Sequence, residues 1–362
     1  MPTPSAPSAA LDAPAPRPSR AGRRRWLLVV KIVLMGAALA VAAWAVAGKK
    51  DELAGASTYL EDLNALWVLA AIAAEAVAIV SFAVLQQRLL RSGRVELRLP
   101  ALTAITLAGN AIENSFPGGT AWSAVWGYRQ FRHRGASELL SGWTLVAATA
   151  LSQITLVGLA AGGVLAAGSE GSSLDLAGVI AAVVAVTVVL VALWRQRRFL
   201  VGVVTGLLRV SKRLFRYPTG DPAQVVEDLL LSITRVSPSR TDWAVAAALA
   251  LSNWVWDCAC LVAAFVAVGA PVPWRALVLA YGAAQLAANL PITPGGLGVV
   301  EGSLTIALVA YGGAEASTVA AVLLYRLIAF WALLPVGWAA WALVTATNSR
   351  TRASQLKLAV AE

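Results

Sequence analysis

An apolar region in the last third of the chain is interrupted from Asn289 to Glu301, where two prolines, three glycines and one carboxylate occur together. Each proline removes a backbone donor and disfavours helix in the residue before it. The glycines permit backbone angles that other residues avoid. A helix that runs in from Ala276 should therefore break at about Pro291 and restart near Leu297. The candidate site residues of this turn are Asn289, Pro294, Gly295, Gly296, Gly298 and Glu301.

The short helix that follows the turn decides how the turn is placed. From Val299 to Ala310 it is too short to cross a bilayer alone. Broken backbone is tolerated in hydrocarbon only where it is buried in protein or lines a water-filled cavity. We therefore interpret the stretch as the tip of a re-entrant hairpin. A loop outside the membrane is the alternative that the sequence leaves open.

The composition predicts a polytopic membrane protein, because 59% of the 362 residues are hydrophobic and only 13% are charged. Cys258 and Cys260 lie two apart in a predicted helix and point to different faces, which favours neither a disulfide nor a metal site. The single histidine, His133, lies in a basic run and is expected to be solvated rather than catalytic. We expect no cofactor and no metal. The net charge is +10, but the basic residues are placed as expected for a signal that orients the protein in the membrane. No nucleic-acid partner is therefore expected.

Six apolar segments are predicted to cross the membrane: 26–47, 65–85, 139–167, 176–194, 243–268 and 318–347. The domain boundaries that follow are 1–25 (a disordered cytoplasmic tail), 26–347 (the membrane domain) and 348–362 (a second cytoplasmic tail). The membrane domain divides into a first half, 65–195, a basic cytoplasmic connector, 195–240, and a second half, 243–347. Within the third segment, Gly158 and Gly162 have the four-residue spacing that lets helices approach closely.

The positions of the basic residues indicate the orientation. With a cytoplasmic N-terminus and two re-entrant hairpins, all but four of the 29 lysines and arginines lie on the cytoplasmic side. Lys49, Lys50 and Arg275 fall outside, and Arg326 falls within the membrane. A full crossing at either hairpin would move a basic cluster to the wrong side. The count therefore favours six spans and two re-entrant hairpins in the plasma membrane, with both termini cytoplasmic.

A second Pro-Gly-Gly turn follows the apolar segment 99–116. Its hairpin would enter from the cytoplasm, whereas the hairpin at Pro294 would enter from outside. An asparagine precedes each turn and a glutamate accompanies each. The pattern predicts an all-α protein arranged as an inverted repeat, whose broken helices meet at the membrane midplane, as in secondary transporters. The candidate site residues of this turn are Asn110, Glu113, Pro117, Gly118 and Gly119.

Five charged residues that fall within predicted membrane segments need an explanation: Glu75, Glu113, Asp257, Glu301 and Arg326. Each costs about 2.5–3.5 kcal/mol to insert, so each needs a partner or water. Arg326 is the sole cation of the set, and Glu301 is its expected partner. One interpretation is that the pair is purely structural. The other is that it is functional: Arg326 and the helix start near Leu297 present positive potential to an anion such as a phospholipid or polyprenyl phosphate. Asp257 joins the candidate site because it shares a helix face with Asn253.

The sequence Pro291-Ile-Thr-Pro-Gly-Gly-Leu-Gly-Val-Val-Glu301, followed by Leu-Leu-Tyr-Arg-Leu-Ile at 323–328, resembles the C-terminal signature of the lysylphosphatidylglycerol synthase transmembrane region family. The pattern from Asn110 to Gly119 resembles the family's first motif, and the likeness covers roughly residues 26–347. The family includes the flippase domain of the bacterial multiple peptide resistance factor, so the resemblance implies lipid translocation across the plasma membrane. The matching motif positions are Pro294, Gly295, Gly296, Glu301 and Arg326. The aminoacyl-transferase domain of two-part members is not present in this sequence, so lipid lysylation is not expected.

Two other classes of function stay open. An intramembrane enzyme acting on polyprenyl phosphate or pyrophosphate would also use re-entrant hairpins, but it needs clustered acid-base groups beside a phosphate-binding Ser-Arg pair or histidine. The sequence does not show that cluster. A non-catalytic scaffold for a lipid or glycan enzyme is the third class. The expected partners are an anionic phospholipid or polyprenyl-phosphate lipid and the membrane itself, and a homo-oligomer is compatible with the sequence.

Overall fold

The computed structural model describes residues 63–116, 119–167, 238–289 and 293–361, without the side chains of 165–167 and 349–361. Several predicted features lie outside the described residues: the spans 26–47 and 176–194, the tail 1–25, the connector up to 237, and Pro117 and Gly118. Every regular element within the described ranges is helical, in agreement with the all-α prediction.

In chain order, the helical elements of the described residues are α1 Ala65–Ser92, α2 Leu99–Ser115, α3 Gly119–His133, α4 Glu138–Ala167, α5 Arg240–Ala267, α6 Trp274–Ala288, a 3₁₀ turn Pro294–Gly296, α7 Val299–Ala310, α8 Glu315–Arg326, a π-helical segment Leu327–Ala332, and α9 Leu333–Ala361. Both expected breaks fall where the prolines and glycines predict them. The last predicted span, 318–347, lies within one apolar helical stretch, 315–348, that contains the π-helical segment.

Four helical stretches of the described chain are long and apolar enough to cross a membrane: α1, α4, α5 and residues 315–348, which join α8 to α9. Large apolar side chains on these helices face outward, for example Leu69, which is 63% exposed, and Leu343, which is 68% exposed. Apolar surface of this kind suits lipid rather than water. The chain is therefore a multi-pass membrane protein.

Helices α1 and α5 lie antiparallel and in contact along their length. At one end Arg88 Nε donates to Asp242 Oδ1 at 3.0 Å. At the other end the backbone N–H of Asn64 donates to the carbonyl of Ala267 at 2.9 Å. The N-terminus of α5 therefore lies at the same end of the protein as the C-terminus of α1.

Helices α2 and α3 lie side by side, as do α6 and α7, so each Pro-Gly-Gly turn joins two short helices of a hairpin. In the first hairpin the indole Nε1 of Trp126 donates to the carbonyl of Ile105 at 3.4 Å. Helix α2 of the first hairpin packs against α9, and helix α6 of the second packs against α4. The two hairpins are thus each held against a long helix from the other half of the chain.

The contact between α4 and α6 depends on a small residue, although not on the glycines that the sequence suggested. A Cβ on Gly163 would lie 2.6 Å from the backbone nitrogen of Leu279. Gly158 and Gly162 have no such neighbour within 4 Å among the described residues. The glycine pair that the sequence suggested does not form this contact, because the helix turns Gly163, rather than Gly158 and Gly162, toward α6.

Two clusters of buried apolar side chains hold the helices together. One joins α1, α5, α6, α7 and α8 toward the end of the protein that contains Ala267. The other joins α1, α2, α3, α4 and α5 toward the opposite end, which contains Leu90. Between them, near the two Pro-Gly-Gly turns, the interior is polar.

Candidate functional site

A cavity of about 400 Å³ lies where the two hairpins meet. Side-chain amides make up much of its polar wall, among them Asn110, Asn114, Gln153, Asn253 and Asn289. These residues come from α2, α4 and α5 and from the end of α6. A polar cavity of this size inside apolar helices can receive a headgroup or water.

The turn of the second hairpin is fixed by the ion pair that the sequence predicted. Arg326 Nε donates to Glu301 Oε1 at 2.7 Å, and Arg326 Nη2 donates to the carbonyl of Gly295 at 3.2 Å. The other oxygen of Glu301 accepts the backbone N–H of Gly298 at 2.7 Å. The guanidinium also lies 4.3 Å from the ring centre of Phe330. Glu301 therefore joins the start of α7 to the end of α8, and the predicted pairing is confirmed.

Glycine is required in this turn for conformational and for steric reasons. Gly295, Gly296 and Gly298 have φ values of 57°, 67° and 78°, in the left-handed region. A Cβ on Gly295 would lie 2.2 Å from the ring of Phe330 and 3.0 Å from Asn114 Oδ1. Because Asn114 belongs to α2, the second turn lies against the first hairpin. Pro294 begins the 3₁₀ turn, where its fixed φ is tolerated.

The first hairpin closes just as tightly. A Cβ on Gly119 would lie only 1.9 Å from the carbonyl oxygen of Glu113, so no larger residue fits this backbone. Thr120 Oγ1 donates to Glu113 Oε1 at 2.9 Å, which gives the carboxylate one partner. Asn110, Glu113 and Gly119 all line the cavity, as expected. Pro117 and Gly118 lie outside the described residues.

Asn289 connects the end of α6 to α4. Its amide and that of Gln153 bond reciprocally, each nitrogen donating to the other's oxygen at 3.2 Å. Asn289 Nδ2 also donates to the carbonyl of Gln285 at 3.0 Å. The candidate residue is thus placed on the cavity wall by a polar contact between the two halves of the chain.

Asp257 is enclosed by donors that the sequence analysis missed. The hydroxyl of Tyr281 donates to Oδ2, and Gln285 Nε2 donates to the same oxygen at 2.8 Å. The hydroxyl of Tyr325 reaches Oδ2 at 3.1 Å and Oδ1 at 3.2 Å. Tyr281 and Gln285 are four residues apart in an apolar helix, so their shared face was a signal that could have found them.

The described residues that line the cavity carry three carboxyl groups and one guanidinium: Glu75, Glu113, Asp257 and Arg326. Glu301 lies behind Arg326 and is outside this lining. Among the described residues, no group of three or more His, Cys, Asp or Glu is placed to hold a metal ion. The site is therefore suited to binding through hydrogen bonds, with a single fixed positive charge at one point of its wall.

Comparison with protein families gives a match over residues 25–337 to the family described as the lysylphosphatidylglycerol synthase TM region. The chain belongs to this family. The match includes both hairpins, the cavity and the Glu301–Arg326 pair. No match was found among curated proteins. Membership in the lysylphosphatidylglycerol synthase TM family, together with the apolar helices, fits an integral membrane protein of lipid metabolism or transport.

Proposed function

We propose that the protein moves a lipid across the plasma membrane, with the lipid headgroup passing through the cavity between the hairpins. The observation that carries the proposal is the position of this cavity. It lies among helices apolar enough for a bilayer, at the point where two turns of broken helix meet. A protein that only spans the membrane has no need of such a polar interior, because buried polar groups are costly in hydrocarbon.

The proposed architecture has six spans and two re-entrant hairpins related as an inverted repeat. The support for this architecture is that helices of each half pack against helices of the other half. Helix α2 packs against α9, α6 packs against α4, and α1 packs against α5. Substrate sites of secondary transporters lie at repeat interfaces of this kind. The two remaining spans fall at 26–47 and 176–194, outside the described residues.

The proposed orientation places the cavity toward the cytoplasm. Its lining reaches Gln86 in α1 and Phe131 in α3 but stops at Asp257 in α5. Exposed arginines gather at the same end of the described chain: Arg91, Arg94, Arg98, Arg132 and Arg240. Basic residues favour the cytoplasmic side. The N-terminus and the C-terminus then both lie in the cytoplasm, and the apolar cluster beyond Asp257 closes the outer side.

The proposed substrate is an anionic phospholipid or a lipid linked to polyprenyl phosphate. Arg326 lines the cavity, and its Nη1 has no hydrogen-bond partner among the described residues. A phosphate oxygen would complete its bonding, since guanidinium groups bind phosphate well. The amides of Asn110, Asn114 and Gln153 would receive the hydroxyl-bearing part of the headgroup.

Lipid movement in reconstituted vesicles tests the proposal. Purified protein is placed in vesicles that carry fluorescent phosphatidylglycerol in both leaflets, and an impermeant reductant bleaches the label that it can reach. We expect bleaching beyond the outer leaflet only when protein is present, with phosphatidylcholine and a labelled polyprenyl phosphate as comparison lipids. Equal bleaching with and without protein for every lipid would contradict a flippase. Mass spectrometry of the same vesicles would show chemical change of the lipid if the protein were an enzyme instead.

A further inference from the structure

Glu75 is a buried carboxyl group that the proposed lipid site does not use. The residue is 7% exposed, it lines the cavity from α1, and its Oε2 has no hydrogen-bond partner among the described residues. An unpartnered carboxylate at this depth carries a large desolvation cost. A positively charged species that enters through the cavity would neutralise the Glu75 carboxylate and remove this cost.

The register of α1 against α5 places Glu75 beside Asp257. Ser81 Oγ lies 3.2 Å from Ser252 Oγ, and Asn253 Nδ2 donates to the carbonyl of Ala78 at 3.0 Å. The helices are antiparallel, so the residue one turn earlier in α1 comes level with the residue one turn later in α5. This register brings the two carboxyl groups close together. Two carboxyl groups this close in a medium of low dielectric cannot both be ionised.

The hydrogen-bond donors around the two carboxyl groups are unequally divided. Tyr281, Gln285 and Tyr325 all direct hydrogens at its oxygens. Three donors stabilise the ionised form of a carboxylate. Glu75 Oε2, by contrast, has no donor among the described residues, so a proton is the partner that it lacks.

The other titratable and charged groups around the pair do not supply a counter-charge. Cys258 and Cys260 share α5 with Asp257, and Tyr281 on α6 and Tyr325 on α8 donate to it; thiols and phenols are neutral in their ordinary state. Arg326 on α8 is engaged by Glu301 at 2.7 Å. The ion pairs of the described residues therefore include none to Glu75.

We propose that Glu75 and Asp257 form a proton-binding site that couples lipid movement to the proton gradient, an inference that rests on the proposed function. A hydronium ion in the cavity breaks one of its O–H bonds and transfers the proton to Glu75 Oε2, where a new O–H bond forms and a neutral water is left behind. The protonated Glu75 and the ionised Asp257 then share one negative charge. Release of the proton puts two charges in contact, which favours a different packing of α1 against α5.

The coupling to the lipid site runs through α8. Tyr325 contacts Asp257, and the next residue, Arg326, holds the turn of the second hairpin through Glu301 and Gly295. The π-helical segment Leu327–Ala332 follows directly. Such segments are irregular and often occur at functional sites. A shift at Asp257 is therefore transmitted within one helical turn to the group that would face the lipid phosphate.

Difference infrared spectroscopy tests the proton site without reference to transport. The protein is measured in a detergent without ester groups at neutral and at alkaline pH, in H₂O and in D₂O. We expect a protonated carboxyl band at neutral pH that shifts in D₂O. The band should be lost in Glu75→Gln. It should be kept in the control Glu96→Gln, which alters an exposed residue between α1 and α2. A wild-type protein without this band would overturn the proposal, and that measurement stands even if Glu75→Gln does not fold.

Imposed gradients across protein-containing vesicles test the coupling. We expect a pH gradient to accelerate net movement of the labelled lipid at least several-fold, and Glu75→Gln to remove the acceleration while Glu96→Gln retains it. Acceleration by a sodium gradient in place of a pH gradient would overturn the proposal in favour of a sodium site. If the infrared band is present but neither gradient changes the rate of lipid movement, the coupling is overturned. The proposed flippase function would be unaffected by that result. A carboxyl band with no lipid movement at all would instead count against the proposed function.

Discussion

Arg326 and Glu301 form an ion pair at 2.7 Å that ties the end of α8 to the first turn of α7. The side chains are 9% and 21% exposed, so the pair is largely removed from solvent. The second oxygen of the same carboxylate bonds the N–H of Gly298. One carboxylate therefore satisfies a buried cation and a helix N-terminus, and it fixes the turn that borders the cavity.

Removal of either partner should destabilise the protein by about 3–5 kcal/mol, because the other charge is then left buried without compensation. Glu301→Gln and Arg326→Gln are measured singly and together by thermal unfolding in detergent. The double variant should lose less than the sum of the two single losses, since neither charge is stranded. Strictly additive losses would mean that the two side chains do not interact.

The contact of α4 with α6 predicts that two adjacent glycines respond differently to alanine. Gly163→Ala should destabilise the protein by about 1–3 kcal/mol, because the new methyl group meets the backbone of Leu279 and the helices must separate. Gly162→Ala is the matched control, since no described atom lies within 4 Å of its Cβ position. Unfolding midpoints of the two variants check the prediction, and equal midpoints would show that α4 and α6 are not packed closely there.

The orientation predicts which introduced cysteines an impermeant reagent can label in intact cells. Glu96 and Arg132 are exposed at the basic end, and Glu315 is exposed at the opposite end. The native cysteines, Cys258 and Cys260, are buried and should give little background. We expect labelling of Glu315→Cys only. Labelling of Arg132→Cys without Glu96→Cys would make the first hairpin a full crossing, whereas labelling of both of these variants without Glu315→Cys would reverse the whole orientation.

The parts of the fold and site that the sequence predicts are those set by local chemistry. Two prolines and three glycines within a few residues disfavour a continuous helix, so the turn at Pro294 was predictable. Arg326 is the one basic residue within the predicted apolar segments of the second half, which left few partners to consider for Glu301. These expectations need no knowledge of how distant helices pack.

The parts that escaped prediction depend on packing between distant segments. The donors to Asp257 come from Tyr281, Gln285 and Tyr325, on two other helices. The level position of Glu75 beside Asp257 depends on the register of α1 against α5, which hydropathy does not encode. The choice of Gly163 over Gly158 depends on helix rotation in the same way. Hydropathy likewise gives one continuous span where the structure has a π-helical segment.

The central claim, that a lipid headgroup passes through the cavity, is tested most directly by filling the cavity. Thr149 on α4 lines it, while Val146, one turn earlier, is 40% exposed and outside the lining. Thr149→Trp and Val146→Trp add the same indole ring to the same helix, so each controls for the other. Movement of fluorescent phosphatidylglycerol in vesicles should fall to the protein-free rate with Thr149→Trp and stay near the wild-type rate with Val146→Trp. Wild-type movement by a folded Thr149→Trp variant would contradict the account.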